Sequence, residues 1–218
     1  MSTRGHQRRL RVGVIFGGRS GEHEVSLASA ESVLRALDPK RYDVLPIGIN
    51  KEGRWIAGPR ALPALQQGQG SALPASILLP QPRGVIAAGH TTVANLRPDV
   101  IIPLVHGTYG EDGTLQGLFE LADIPYVGAG VLGSAVGMDK VVQKQLCQQA
   151  KLPVVKYVWF LDTQWRRQRA HLIRQIEREL GYPVFVMPAN LGSSVGISKC
   201  ADGPQRIRGI RVAAAYDR

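Results

Sequence analysis

Three short segments place reactive or ligand-binding residue types beside flexible backbone. The first is Gly17-Gly18-Arg19-Ser20-Gly21-Glu22-His23-Glu24-Val25-Ser26. A double glycine after an apolar run lets backbone approach a ligand closely. Glu22 lies inside the turn, where a carboxylate can pair with a cationic amine. Glu24 sits where a helix begins; it can serve a ligand or simply complement the helix dipole. The second segment opens with His106 and continues through Gly107, Gly110, Glu111, Asp112 and Gly113 to Gly117. Its carboxylates can bond loop amides, and an imidazole at the mouth of a Gly-rich loop is a candidate binding or proton-transfer group. The third is Pro188-Ala189-Asn190-Leu191-Gly192-Ser193-Ser194-Val195-Gly196. A Gly/Ser loop presents successive amide donors that can cradle phosphate, although many plain hairpins share that composition.

The elements that must carry these loops are legible from pattern. Arg11–Gly17 and Asp99–His106 read as buried strands, each running straight into one of the loops. Glu24–Leu37 has helical spacing and stops at Asp38-Pro39. Tyr42–Ile49 reads as a strand, followed by a turn into Arg54–Ile56. Residues 58–97 read as a loop region with short strands at Ser76–Leu79 and Gly84–Ala87. Helices are expected over Thr114–Ala122, Ser134–Ala150 and Thr163–Leu180, and a last one from near Asp202 onward. Short strands are expected at Tyr126–Gly128, Val154–Leu161, Tyr182–Pro188 and up to Cys200. This alternation predicts an α/β fold: an N-terminal doubly wound, mostly parallel sheet domain over residues 1–138, then a smaller α+β unit over 139–218. Ligands in such sheets gather at the carboxyl ends of strands, where the first two loops lie.

Composition narrows the function classes. Apolar residues are 44% and charged residues 20% of the 218, enough for a buried core. No apolar run reaches membrane-spanning length, and the basic start is not followed by a secretory apolar region. A cytoplasmic protein without a membrane partner is expected, and two widely separated cysteines fit a reducing compartment. The formal net charge is +10. Its arginines are scattered and aromatics are only 6%, so no nucleic-acid partner is expected.

Four motifs, in this order and spacing, resemble the D-alanine–D-alanine ligases of the ATP-grasp superfamily: GGRSGEHEVS at 17–26, HGTYGEDGTLQG at 106–117, GSAVGMDK at 133–140 and PANLGSSVGISK at 188–199. The resemblance implies that ATP phosphorylates the carboxylate of one D-alanine, with Mg²⁺ or Mn²⁺. A second amine, or the hydroxyl of D-lactate, then attacks the acyl phosphate. That second substrate can be D-alanine, D-serine or D-lactate. The product serves peptidoglycan. By the same resemblance Glu22 would hold the first amine, Val25 and His106 would line that pocket, and Ser193 would join Glu22 and His106 in the catalytic set. Lys140, Gly192, Ser193 and Ser194 would face the nucleotide phosphates. The family is often homodimeric. One departure stands out: the family lysine before the third loop is Met187 here. The resemblance also implies that Arg218 falls inside a partial ATP-grasp central domain. Adenine hinge, tyrosine loop, oxyanion arginine and acidic metal ligands would then follow it. The chain alone is therefore expected to be inactive. The alternative is a non-catalytic fragment that binds D-alanine or a protein partner.

Overall fold

Val12, Val14 and Phe16 alternate with Gly13 and Ile15, so a strand made of them offers two apolar faces and must be covered on both. That is how β1 (Leu10–Gly17) is used in the computed structural model, which describes residues 8–78, 85–88, 93–192 and 194–217. The chain divides into two compact units, Met1–Ala135 and Val136–Arg218.

In the first unit α1 (His23–Ala36) follows β1, then β2 (Tyr42–Ile49), β3 (Trp55–Ala57), α2 (Ala61–Gln66), β4 (Ser76–Leu78), β5 (Val85–Ala88), β6 (Val93–Leu96), β7 (Val100–Pro103) and α3 (Thr114–Leu121). The described strands form one sheet in the order β6-β5-β4-β3-β2-β1-β7. β1 lies between β2 and β7, parallel to both, with Val12 opposite Val44 and Val100. One face of β1 packs Val12, Val14 and Phe16 against Leu27 and Ala30 of α1 and Leu62 and Leu65 of α2. The other packs Ile15, Ile47 and Ile101 against Leu115 and Phe119 of α3. Helices on both faces make this the expected doubly wound arrangement around β2-β1-β7.

Three expectations need correction here. The sheet is mixed rather than mostly parallel, because β2 through β6 pair antiparallel in sequence order. The connections from β2 to β3, β4 to β5 and β5 to β6 are short enough for hairpins, whereas parallel pairing needs a crossover. The region read as loop with two short strands over 58–97 supplies those strands as β4 and β5, and adds α2 and β6. Leu79 and Gly84, the outer ends of two predicted strands, lie outside the described residues. Tyr126 contributes a single parallel bridge to Ile101 rather than a strand over 126–128.

The helix expected over 134–150 is two helices, α4 (Val131–Met138) and α5 (Lys140–Gln149). Asp139 separates them in an extended conformation, and its carboxylate accepts from the amides of Val141 and Val142. That is the N-cap geometry that starts a new helix rather than continuing an old one. The second unit continues with α6 (Asp162–Glu179), β8 (Val184–Val186), β9 (Ser198–Cys200) and α7 (Gly203–Ala213). β8 and β9 form an antiparallel pair. Trp165, Leu172 and Ile176 give α6 one buried stripe, which meets Ile210 of α7 and Val184 of β8. Arg206 is 2% exposed and ties α7 down by donating to Glu177 at 3.1 Å and to the Tyr182 hydroxyl at 2.6 Å. Val154–Leu161, predicted as a strand, is in no ladder among the described residues. Val158 and Phe160 turn toward the core, while Val155 and Trp159 stay exposed. The apolar alternation is present; a partner strand, which the prediction assumed, is not.

Candidate functional site

The carboxyl ends of β1 and β7 carry the first two loops, and three serines bind them together. Ser26, buried on α1, accepts from the Gly17 amide at 2.7 Å and donates to the Leu104 carbonyl at 2.6 Å. Ser20 donates to the His106 carbonyl at 2.7 Å and accepts from the Glu22 amide at 3.2 Å. Ser29 lies 3.0 Å from His106 Nε2. The turn itself depends on glycine: Gly17 has φ of +87°, and a Cβ there would run into the Ile49 carbonyl.

Glu22 occupies the N-cap position of α1, yet its carboxylate makes no capping bond. It faces Gly107 instead, where an added Cβ would sit 2.5 Å from Glu22 Oε2, at a residue whose φ is +71°. Glu22 and His106, predicted from distant motifs, therefore share one corner of the first unit. His106 is half-buried, with Nδ1 3.7 Å from Glu111. Glu111 and Asp112 shape the loop as expected, accepting from the amides of Gly107 and Tyr109 at 2.8 Å each. Arg19 lies over the ring of Tyr109 at 5.2 Å. Val25, one turn before Ser29 on α1, is 56% exposed. Glu24 pairs with Lys51 at 2.8 Å, and this bond and charge hold its carboxyl below the usual range.

In the second unit the three phosphate-facing candidates with described geometry are Lys140, Gly192 and Ser194; Ser193 lies outside the described residues. Lys140 donates from Nζ to the carbonyl of Leu191 and, at 3.4 Å, to that of Ala189; its own amide also donates to Ala189, at 3.1 Å. Burial pushes its ammonium below the ordinary lysine value, opposed by the charges of Asp217 and Asp139. Asp217 in turn accepts from the Asn190 amide at 2.8 Å. These contacts clamp the backbone that leads into the Gly/Ser loop. Ser194 has φ of +61°, which aims successive backbone groups to one side. Phe185 and Met187 share the exposed side of β8 and its extension, at 60% and 37% exposure, while Val184 is buried on the other. Both line a cleft of about 770 Å³ within this unit, together with Lys140, Lys144 and Trp159.

Among the described residues no group of three or more His, Cys, Asp or Glu side chains is placed to hold a metal. No described helix is long and apolar enough to cross a membrane.

Sequence reasoning missed Ser20, Ser26 and Ser29 as organisers of the corner. A serine carries no strong pattern signal, and their partners lie 86, 78 and 77 residues away.

Family models described as the D-ala D-ala ligase N-terminus and C-terminus match residues 11–129 and 146–218. The D-alanine–D-alanine ligase of Natranaerobius thermophilus is 49% identical over 214 residues, covering 96% of this chain and 58% of the relative. That of Geobacillus thermodenitrificans is 47% identical, covering 96% and 59%. Among solved structures, the VanG D-Ala:D-Ser ligase of Enterococcus faecalis superposes with a TM-score of 0.83 at 33% identity, covering 96% of this chain and 61% of that one. The D-alanine–D-alanine ligase of Coxiella burnetii gives 0.81 at 30% identity, with the same coverage. The chain thus spans just under three fifths of the length of these curated relatives. With both models matched in order along its length, this chain belongs to the D-alanine–D-alanine ligase family.

Proposed function

We propose that the corner formed by Glu22 and His106 is the first-amino-acid site of an ATP-dependent ligase that makes D-alanyl-D-alanine for peptidoglycan. The observation that carries this reading is the placement of a carboxylate not used for helix capping against Gly107, next to His106, at the carboxyl ends of two parallel strands. A carboxylate in that position pairs with the ammonium of an amino acid and leaves the acid end pointing away from α1. Val25 and the His106 ring bound the space left for a methyl side chain. The carboxylate of the bound D-alanine is the nucleophile toward ATP, and the acyl phosphate formed is attacked by the second substrate with loss of phosphate. Gly192, Ser193 and Ser194 supply donors on the nucleotide side, with Lys140 beside them. ATP and Mg²⁺ or Mn²⁺ complete the reaction in this reading; the described side chains offer no donor set for the cation, and no step is assigned to it. The same reading places the protein in the cytoplasm and, as a whole, in homodimers.

The test separates binding from turnover. The 218-residue polypeptide should bind D-alanine saturably by calorimetry, with L-alanine binding more weakly. Mixed with ATP, Mg²⁺ and D-alanine it should release no D-alanine-dependent phosphate, because Met187, where the family lysine would stand, cannot donate to a phosphate. Phosphate release abolished by Glu22→Ala would show this polypeptide to be catalytic by itself. Absence of D-alanine binding would remove the site assignment.

A further inference from the structure

We propose that Ser29 is a positioning residue that fixes the tautomer of His106. The ring is approached from two sides. Glu111 presents one carboxylate oxygen to Nδ1 at 3.7 Å, while its other oxygen accepts from the Gly107 amide at 2.8 Å. An ionised carboxylate only accepts, so it favours the proton on the ring nitrogen that faces it. A neutral ring then carries its lone pair on Nε2. The Ser29 hydroxyl stands 3.0 Å from that atom and is the group able to donate to it. The main chain of His106 is held as well, since its carbonyl accepts from Ser20. His106 is thereby held at its carbonyl and at Nε2, with the Glu111 carboxylate facing Nδ1 beyond hydrogen-bond reach.

The consequence concerns the amine of the substrate. In the other tautomer Nε2 would carry an N–H, a donor that stands against the ammonium in this corner. With Ser29 donating to Nε2, no such N–H is present, and Glu22 accepts from the cation beside an imidazole that does not oppose it. Ser29 thus acts through His106 and need not touch the ligand. It lies on α1 one turn beyond Val25, so the helix that carries Glu22 also sets the ring opposite it. That the ring serves a D-alanine site rests on the proposed function; the tautomer assignment does not.

The experiment is a two-bond ¹H–¹⁵N spectrum of the ¹⁵N-histidine-labelled 218-residue protein at pH 7.5, with D-alanine titrated into the same sample. In the parent, His106 should show a protonated Nδ1 and an unprotonated Nε2. Ser29→Ala should give a mixture of both neutral tautomers and weaken D-alanine binding about fivefold, the scale of one neutral hydrogen bond. Ser29→Thr keeps the hydroxyl and should restore both readings. A parent His106 protonated on Nε2, or an alanine variant with an unchanged spectrum, overturns the proposal. If the tautomer shifts as stated while the parent fails to bind D-alanine, the positioning role stands and the substrate assignment falls.

Discussion

The two units solve the placing of a loop differently. In the first, the loops after β1 and β7 grow from adjacent parallel strands packed on both faces, and serine side chains cross-link them over long sequence separations. In the second, the Gly/Ser loop joins a ladder of two three-residue strands, and its approach is held by Lys140 and Asp217 from the ends of two helices. The first arrangement draws its rigidity from apolar burial. The second draws it from a few polar ties beside exposed Phe185 and Met187. Buried area is cooperative and spread over many residues, whereas a clamp made of a few bonds can be opened by a competing charge. The amino-acid corner should therefore be preformed and the Gly/Ser loop adaptable.

The strongest way to break this contrast is to damage the core of the first unit. Ile15 is fully buried between β1 and α3. Ile15→Ala should cost about 2–5 kcal/mol, read by urea denaturation, and abolish D-alanine binding under conditions where α6 and α7 keep their amide protection. Loss of both units together would show that they do not differ in the way described. The next effect is local. Glu22→Ala should weaken D-alanine binding by roughly ten- to more than a hundredfold, the range of a charge-assisted hydrogen bond, with the melting temperature almost unchanged. A large fall in melting temperature would make Glu22 a structural residue.

Met187→Lys sharpens the other half of the comparison. A lysine on the exposed side of the β8 extension should tighten binding of ATP about tenfold by calorimetry, the low end of the same range. Equal affinity would show that this position does not face phosphate. The smallest effect is on pH dependence. Burial raises the Cys200 thiol above its ordinary value of 9.0, helped by the charge of Asp202. Above that ordinary value the unfolded chain loses the proton first, so the stability from the buried neutral thiol is complete below it and is lost as pH rises through the folded value. Cys200→Ala should lower stability at pH 7 through the lost contacts and flatten the decline that begins as pH rises past the ordinary thiol value of 9.0, seen as a smaller shift in urea midpoint.

How far the sequence could be read follows the same division. β1, β2 and the parallel placing of β7 were legible because mainly apolar runs of this length bounded by turn residues have few other uses. His106 stood out as a candidate because it follows such a run, and Glu22 because it lies in the glycine turn after one. Within 58–97, β4 and β5 were legible, but α2 and β6 were not, since their short segments of Ala, Leu and Val are too brief to stand out from loop. The break at Asp139 was hidden by helix-forming residues on both sides, and only the cap geometry reveals it. Val154–Leu161 shows the reverse: a strand-like alternation without a ladder. The tie of Lys140 to main-chain carbonyls could not be foreseen, because backbone acceptors have no signature in a sequence.

Ser26 has one more consequence, in mechanical language. Its hydroxyl joins the amide at the tip of β1 to the carbonyl just past β7, so a single oxygen ties together the two lips from which the loops grow. Helix α1 is then a strut of fixed length rather than a lid. A cysteine at this position, with a longer carbon–sulfur bond and a weaker donor, would spread the lips by a fraction of an ångström. The gap between the two loop roots is in this sense gauged by an atom that no ligand needs to touch.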